Sequence, residues 1–248
     1  MCSDHSARFA VLIAAYNASK TIESVLTETR RFWRGAVVVV NDGSTDGTGA
    51  AAEALADVVL RHEVNRGKGA ALITGLTYLR ENGYNAAITL DADGQHPPEL
   101  IPEFVAKYQE TACDLVVGGR PFALGRMPLL RLLGNRLSSF WVSVACGRSI
   151  PDSQCGFRLY DLRTIPLEKL TTHGFDAETE MLLETCRRGG RIEQVKVPLI
   201  YRASRSHFDQ LGDTLAIARV IARYLFSRRR TQRKDEGGRM KDEGRSNG

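Results

Sequence analysis

Over its first hundred residues the chain alternates short, unbroken apolar runs with stretches whose apolar positions recur every three to four residues. Phe9–Ala14, Ala36–Val40, Val58–Leu60 and Ala86–Leu90 lack the polar alternation of a half-exposed strand, so they predict strands covered on both faces. Thr21–Phe32, Thr48–Ala56, Lys68–Arg80 and Pro98–Gln109 predict the intervening helices, the last with proline in its first turn. Such alternation predicts an α/β fold, with a mostly parallel central sheet and helices on both faces. The second half is less regular. Leu115–Arg120 predicts a strand ending in Gly118, Gly119 and Arg120, Leu129–Val144 a long helix, Ile192–Pro198 a strand and residues 209–226 an amphipathic C-terminal helix. From about Ser227 the composition turns to Arg, Lys, Asp, Glu and Gly without apolar period, which predicts a basic, disordered tail over 227–248.

The chemistry gathers where the predicted strands end. The fourth apolar run leads into Asp91-Ala92-Asp93-Gly94-Gln95, two carboxylates and an amide at the carboxyl edge of the sheet, where open α/β folds bind ligands. These hard oxygen donors suit Mg2+ or Mn2+ held together with a substrate's phosphates. The second strand ends in Asn41-Asp42-Gly43-Ser44-Thr45-Asp46, placing the Asp42 carboxylate where it can accept from a base N–H; a plain strand-to-helix turn accounts for the segment equally well. Asn65-Arg66-Gly67-Lys68-Gly69 opens the third helix, so its backbone amides and Lys68 can hold an anion, although it lacks the Gly-Lys-Ser/Thr ending of a Walker P-loop.

Composition narrows the classes. A length of 248 residues suits one large α/β domain, or one domain with an appendage. No apolar run approaches the roughly 18 residues of a membrane span, and Met1–Ser6 lacks the basic-then-apolar pattern of a signal peptide. Cys2, Cys113, Cys146, Cys155 and Cys186 are odd in number and scattered, which reads as a reducing cytosol. The net charge of +5 concentrates near Arg228-Arg229-Arg230, which suits anionic lipid or simple solubility. Nucleic-acid binding lacks the aromatic-rich basic surface it needs. In the C-terminal helix Leu211, Leu215, Ala218, Ile221, Ala222 and Leu225 read as one apolar stripe, with Arg219 and Arg223 elsewhere. That stripe suits a membrane surface, the main domain or a second subunit, and periodicity does not separate them.

Ala14-Ala15-Tyr16-Asn17, Asn41–Asp46, Asn65–Gly69 and Asp91-Ala92-Asp93-Gly94-Gln95-His96-Pro97-Pro98, in this order and at these intervals, resemble the family 2 glycosyltransferases, inverting enzymes of GT-A (Rossmann-like) fold. Ser153-Gln154-Cys155-Gly156-Phe157-Arg158 is similar to a second element of the dolichol-phosphate mannosyltransferase and polyprenyl-phosphate glycosyltransferase branch. The resemblance implies a catalytic domain over 8–208 after a tail at 1–7, and sugar transfer from GDP-mannose or a UDP-hexose to a polyprenyl or dolichyl phosphate on the cytoplasmic membrane face. Transfer to a glycan hydroxyl, and a non-catalytic nucleotide-sugar-binding subunit, are the alternatives. It further implies that Ala14, Tyr16, Asn17, Asp42, Lys68, Asp91, Arg120 and Arg136 bind the nucleotide sugar, and that Asp91, Asp93 and Gln95 hold Mg2+ or Mn2+. Asp152, Arg120 and Arg205 would be catalytic, with Arg202, Arg205, Ser206 and His207 on the acceptor phosphate. Gly119 stands where the family's Gly-Ser-Arg element has serine, which removes a hydroxyl and leaves the Arg120 guanidinium.

Overall fold

The structure, a computed structural model, describes residues 8–121, 129–200, 212 and 215–225. Seven strands form one sheet in the order β3-β2-β1-β4-β6-β5-β7. They are β1 (Phe9–Ala15), β2 (Ala36–Asp42), β3 (Val58–His62), β4 (Ala86–Asp91), β5 (Leu115–Gly119), β6 (Arg158–Asp161) and β7 (Ile192–Lys196). All neighbours pair in parallel except β6, which runs antiparallel to both β4 and β5. The mostly parallel α/β sheet expected from the sequence is the one observed.

Successive strand residues feed opposite faces, as the pleat requires. Leu12, Val38, Val40 and Leu115 pack with helices α3 (Lys68–Glu81), α5 (Leu129–Cys146), α6 (Ala177–Arg187) and the C-terminal helix α7 (215–225). Val11, Ile13, Val39 and Ile88 pack with α1 (Ile22–Phe32), α2 (Thr48–Leu55) and α4 (Ile101–Thr111) on the other face. The strands are therefore unbrokenly apolar because both sides are covered.

Three expectations are corrected. Strand β6 and helix α6 have no counterpart in the sequence reading. β6 carries the fully buried Arg158 within its four residues, and α6 buries Glu178 and Glu180, so neither shows a clean apolar pattern. In α7 the buried face is Ile217, Val220, Ile221 and Tyr224, while Leu215, Ala218 and Ala222 are exposed. The expected stripe is thus rotated from the real one, which packs on the domain. The cysteines, finally, include a pair: Cys146 ends α5 and Cys186 lies in the last turn of α6, with Cα atoms 5.4 Å apart and the sulfurs bonded. Cys113 and Cys155 are free and buried, and burial pushes the Cys155 thiol up to about 11.

Two outcomes follow from these contacts. The disulfide closes a loop between residues 40 apart in sequence, so Cys186→Ala, or reduction, should lower unfolding free energy by about 3–4 kcal/mol, read from urea midpoints with and without reductant. Glu180 accepts from the backbone and hydroxyls of Thr171 and Thr172 and from Arg223 of α7 at 2.7 Å. Burial works against its ionisation, but hydrogen bonds from the threonines hold its pKa below the usual value. Its stabilisation is therefore present above the unfolded-chain pKa of about 4.3 and is lost as pH falls through the lower folded value. The melting-temperature gap between wild type and Glu180→Gln should be open at neutral pH and narrow in acid.

Candidate functional site

Parallel strands β1, β2 and β4 end at one edge of the sheet, with Ala14 opposite both Val40 and Asp91, and Asp42 opposite His62 of β3. The chain moves outward from β1 through β2 to β3, then returns to place β4 on the other side of β1. This reversal opens a crevice beside the strand ends. Ala14 and Tyr16 are half-buried at its rim. Asn17, in the left-handed region at φ 47°, donates its N–H to Ser44 Oγ at 3.0 Å and accepts the Thr45 N–H at 2.9 Å. It joins the loop after β1 to the loop after β2.

Asp42 is buried, and its carboxylate accepts the Arg66 and Gly67 N–H groups at 2.9 Å each and His62 Nδ1 at 2.6 Å. The glycine-spaced turn is likewise engaged by protein. The Ala70 N–H donates to His173 O at 3.0 Å. A Cβ on Gly67 (φ 94°) would lie 2.7 Å from that same oxygen. The amides expected to cradle an anion serve Asp42 and the 173–174 segment in this structure.

Lys68 is likewise engaged by protein groups. Its ammonium lies 2.6 Å from Asp91 Oδ1 and 2.8 Å from Glu178 Oε2, tying the start of α3 to the tip of β4 and the first turn of α6. Burial alone would push Lys68 toward neutrality, but the two carboxylates outweigh it and raise its pKa. Asp91 shows the complement: burial opposes its charge, and Lys68 drives its pKa below the usual range. Glu178 Oε1 is buried with no hydrogen-bond partner. Gly156 lies against this group so closely that a Cβ there would sit 2.9 Å from Lys68 Nζ and 3.0 Å from Asp91 Oδ2.

Beyond Asp91 the chain folds back on itself. Asp93 accepts from the Gln95 backbone at 2.9 Å and from Gln95 Nε2 at 2.8 Å. Burial, and then the neighbouring charge of Asp91, raise the Asp93 pKa. Two partly desolvated carboxylates that disfavour each other's charge gain from a cation, so the donor set fits a hard divalent ion. Among the described residues no cluster of three His, Cys, Asp or Glu forms a ready cage. An ion here would complete its coordination with ligand oxygens, as Mg2+ and Mn2+ do with phosphates. His96 Nδ1 accepts the Asp91 N–H at 3.1 Å, and its ring stacks on Phe157. Burial lowers its pKa, in keeping with a neutral ring that shapes the loop.

Arg120 donates through Nε and Nη2 to the two oxygens of Asp152 at 2.6 and 3.1 Å. Asp152 is 1% exposed and also accepts the Gln154 N–H, so it stands as the partner of Arg120 rather than as an open base. Arg158, fully buried, donates to the carbonyls of Cys155, Ser153 and Glu178 at 2.8, 2.8 and 2.5 Å, locking the 153–157 segment onto α6. Arg136 is exposed on α5. Arg202, Arg205, Ser206 and His207 lie outside the described residues.

The sequence reading brought Asp42, Lys68, Asp91, Asp93, Gln95, Arg120 and Asp152 to one edge, and missed His62, His96, Glu178 and Arg158. His62 ends a strand as Asp42 does, and His96 adjoins the acidic motif, so both were within reach of the same strand-tip argument. Glu178 carried no local signal, because only the approach of α6 to α3 makes it part of the site.

A model of the family described as Glycosyl transferase family 2 matches residues 10–163. An undecaprenyl-phosphate mannosyltransferase of Micrococcus luteus is 31% identical over 207 residues, covering 79% of this chain and 84% of its own. A UDP-N-acetylglucosamine–dolichyl-phosphate N-acetylglucosaminyltransferase of Methanococcus voltae is 29% identical, covering 77% of this chain and 85% of its own. Among solved structures, glucosyl-3-phosphoglycerate synthase of Mycobacterium tuberculosis with Mn2+, UDP-glucose and phosphoglyceric acid superposes with a TM-score of 0.72 at 22% identity, over 88% of this chain and 80% of that one. This last likeness is one of fold.

Replacing Gly156 with alanine should displace the flexible Lys68 ammonium from Asp91 with little strain elsewhere. The expected result is at least a roughly tenfold fall in affinity for the site's ligand, read by calorimetry with a nucleoside diphosphate, together with a lower melting temperature, because the strained ion pair holds α3, β4 and α6 together.

Proposed function

The chain belongs to glycosyl transferase family 2, and on that premise we propose that it is an inverting enzyme carrying a sugar from GDP-mannose or a UDP-hexose to a polyprenyl or dolichyl phosphate. The observation that carries this reading is the placement of Asp91, Asp93 and Gln95 at the strand-order reversal, within reach of Lys68 and beside Gly156. The relatives named above act on lipid phosphates by their names, and a fold neighbour was solved with Mn2+ and a nucleotide sugar.

In this reading Asp93, the Gln95 carbonyl and the Asp91 oxygen turned from Lys68 hold Mg2+ or Mn2+. The bound cation would neutralise charge building on the leaving diphosphate. Ala14, Tyr16, Asn17 and Asp42 shape the nucleotide pocket, with Asp42 holding the loop wall beside the base. Arg120, oriented by Asp152, offers its remaining N–H groups to a phosphate oxygen. Arg136 is assigned to the donor's phosphates and Arg202, Arg205, Ser206 and His207 to the acceptor phosphate, with Arg205 also catalytic. The domain spans 8–208, followed by the C-terminal helix and the basic tail, and works as a peripheral protein on the cytoplasmic membrane face.

The state of Asp152 favours the lipid-phosphate acceptor over a glycan hydroxyl. A hydroxyl must lose a proton to a base as it attacks the anomeric carbon. The only carboxylate the sequence offered for that work is buried and bonded on both oxygens by Arg120. A phosphate oxygen is already anionic and needs no base, so Asp152 acts by positioning Arg120.

The test is transfer from radiolabelled GDP- and UDP-sugars to polyprenyl phosphate with Mg2+ or Mn2+, and then with EDTA. Label in the lipid fraction that EDTA abolishes is the expected result. Hydrolysis of one donor without lipid labelling would discard the acceptor. Asp93→Ala should lower metal-dependent transfer on the order of a hundredfold while the protein stays folded; unchanged metal dependence would remove Asp93 from the cation site.

A further inference from the structure

One buried carboxylate differs from the others. Asp42, Asp152, Asp161 and Glu180 are all buried, and each of their carboxylate oxygens has a hydrogen-bond partner. Glu178 has one oxygen on the Lys68 ammonium at 2.8 Å. Its second oxygen, Oε1, is the one buried side-chain nitrogen or oxygen among the described residues with no partner. The neighbouring guanidinium does not serve it, since Arg158 donates to the main-chain carbonyls of Glu178, Ser153 and Cys155 instead. A carboxylate oxygen taken out of water without a donor is costly, and such an atom in a native structure calls for a reason.

We propose that Glu178 Oε1 accepts a hydrogen bond from a hydroxyl of the nucleotide-sugar donor, which makes Glu178 a specificity-determining residue. This role rests on the reading of the chain as a glycosyltransferase. Three observations select the partner. First, side-chain exposure falls from 28% at Asp91 to 16% at Lys68 and 9% at Glu178. The three charges form a file running inward from the strand-end edge, so a ligand held at the acidic motif lies over Glu178. Gly156 leaves this file without a side chain across it, since a Cβ there would meet Lys68 Nζ at 2.9 Å and Asp91 Oδ2 at 3.0 Å.

Second, charge excludes the other parts of such a ligand. A phosphate oxygen is repelled by a carboxylate oxygen. A divalent cation takes about six oxygen ligands, and among the described residues no cluster of three His, Cys, Asp or Glu surrounds Glu178. Third, a hydroxyl supplies the single donor that Oε1 lacks and adds no charge to a file that already holds two carboxylates and one ammonium. A donor lacking that hydroxyl leaves Oε1 without a partner in the complex as well, and a site built in this way rejects it. The sugar and the ribose both carry hydroxyls, and the two are separable by experiment.

The experiment is calorimetry of the full chain with Mg2+, first with GDP-mannose and UDP-glucose. The nucleotide sugar that binds is then compared with its 2′- and 3′-deoxyribose forms and with forms singly deoxygenated on the sugar. One member of the series should bind wild type at least about tenfold more weakly than the parent. A loss on a ribose form assigns the hydroxyl to the nucleoside, and a loss on a sugar form assigns it to the transferred group. In Glu178→Ala the parent and that member should bind alike. In Glu178→Gln, which keeps the volume and removes the charge, their ratio should shrink. A merely structural role for Glu178 would weaken both ligands by the same factor in either variant and leave the ratio as in wild type, which overturns the proposal. A wild-type series flat to within about twofold overturns it without any variant. If neither nucleotide sugar binds wild type, the glycosyltransferase reading fails and the proposal with it, whereas binding with a flat series removes Glu178 alone.

Discussion

The half-buried ammonium of Lys68, bonded to Asp91 and Glu178, is the constraint on which the site depends. It joins three elements far apart in sequence: the start of α3, the tip of β4 and the first turn of α6. A charge removed from water requires partners close by, so these elements cannot separate without leaving a bare ion. Two carboxylates answer one ammonium, however, and Glu178 Oε1 remains without a hydrogen-bond donor. The excess negative charge lies at the crevice, next to the raised pKa of Asp93. Carboxylates that raise one another's pKa are relieved by a cation brought to the same edge.

The remaining cationic groups of the site are each held before any ligand arrives. Asp152 orients Arg120, and three backbone carbonyls take up Arg158. Asp42, with three donors on its carboxylate, does for the β2 and α3 loops what Arg158 does for the 153–157 segment. Such preorganisation lowers the reorganisation cost of binding two anions at one crevice. It also divides labour: buried pairs set the shape, while the acidic motif stands at the strand ends.

Much of this was legible in the residues. Continuous apolar strands implied a sheet covered on both sides, and acidic residues at strand ends implied a ligand edge, because backbone periodicity and chain direction are local properties. The same logic found Asp42, Asp91 and Asp93, and extended by one strand it would have found His62. It failed where a residue's environment is made by a distant part of the chain. Lys68 reads as a free cation until α6 arrives, Asp152 reads as a base until Arg120 closes on it, and Cys146 and Cys186 are unrelated until two helix ends meet.

The two helices with apolar stripes show the boundary most plainly. Periodicity shows that α5 and the C-terminal helix each have apolar residues to cover, since 3.6 residues per turn is written into the chain. It does not show which side of each helix meets the domain. That depends on how the helix packs on the sheet, and here packing buries Ile217, Val220, Ile221 and Tyr224 of α7 while leaving Leu137, Phe140 and Trp141 of α5 in the open. The sequence by itself determined the strand order's raw material, the ligand edge and the family. The tertiary structure alone decided which charges are neutralised within the protein and which apolar face is left exposed, because both are settled by contacts between segments rather than within them.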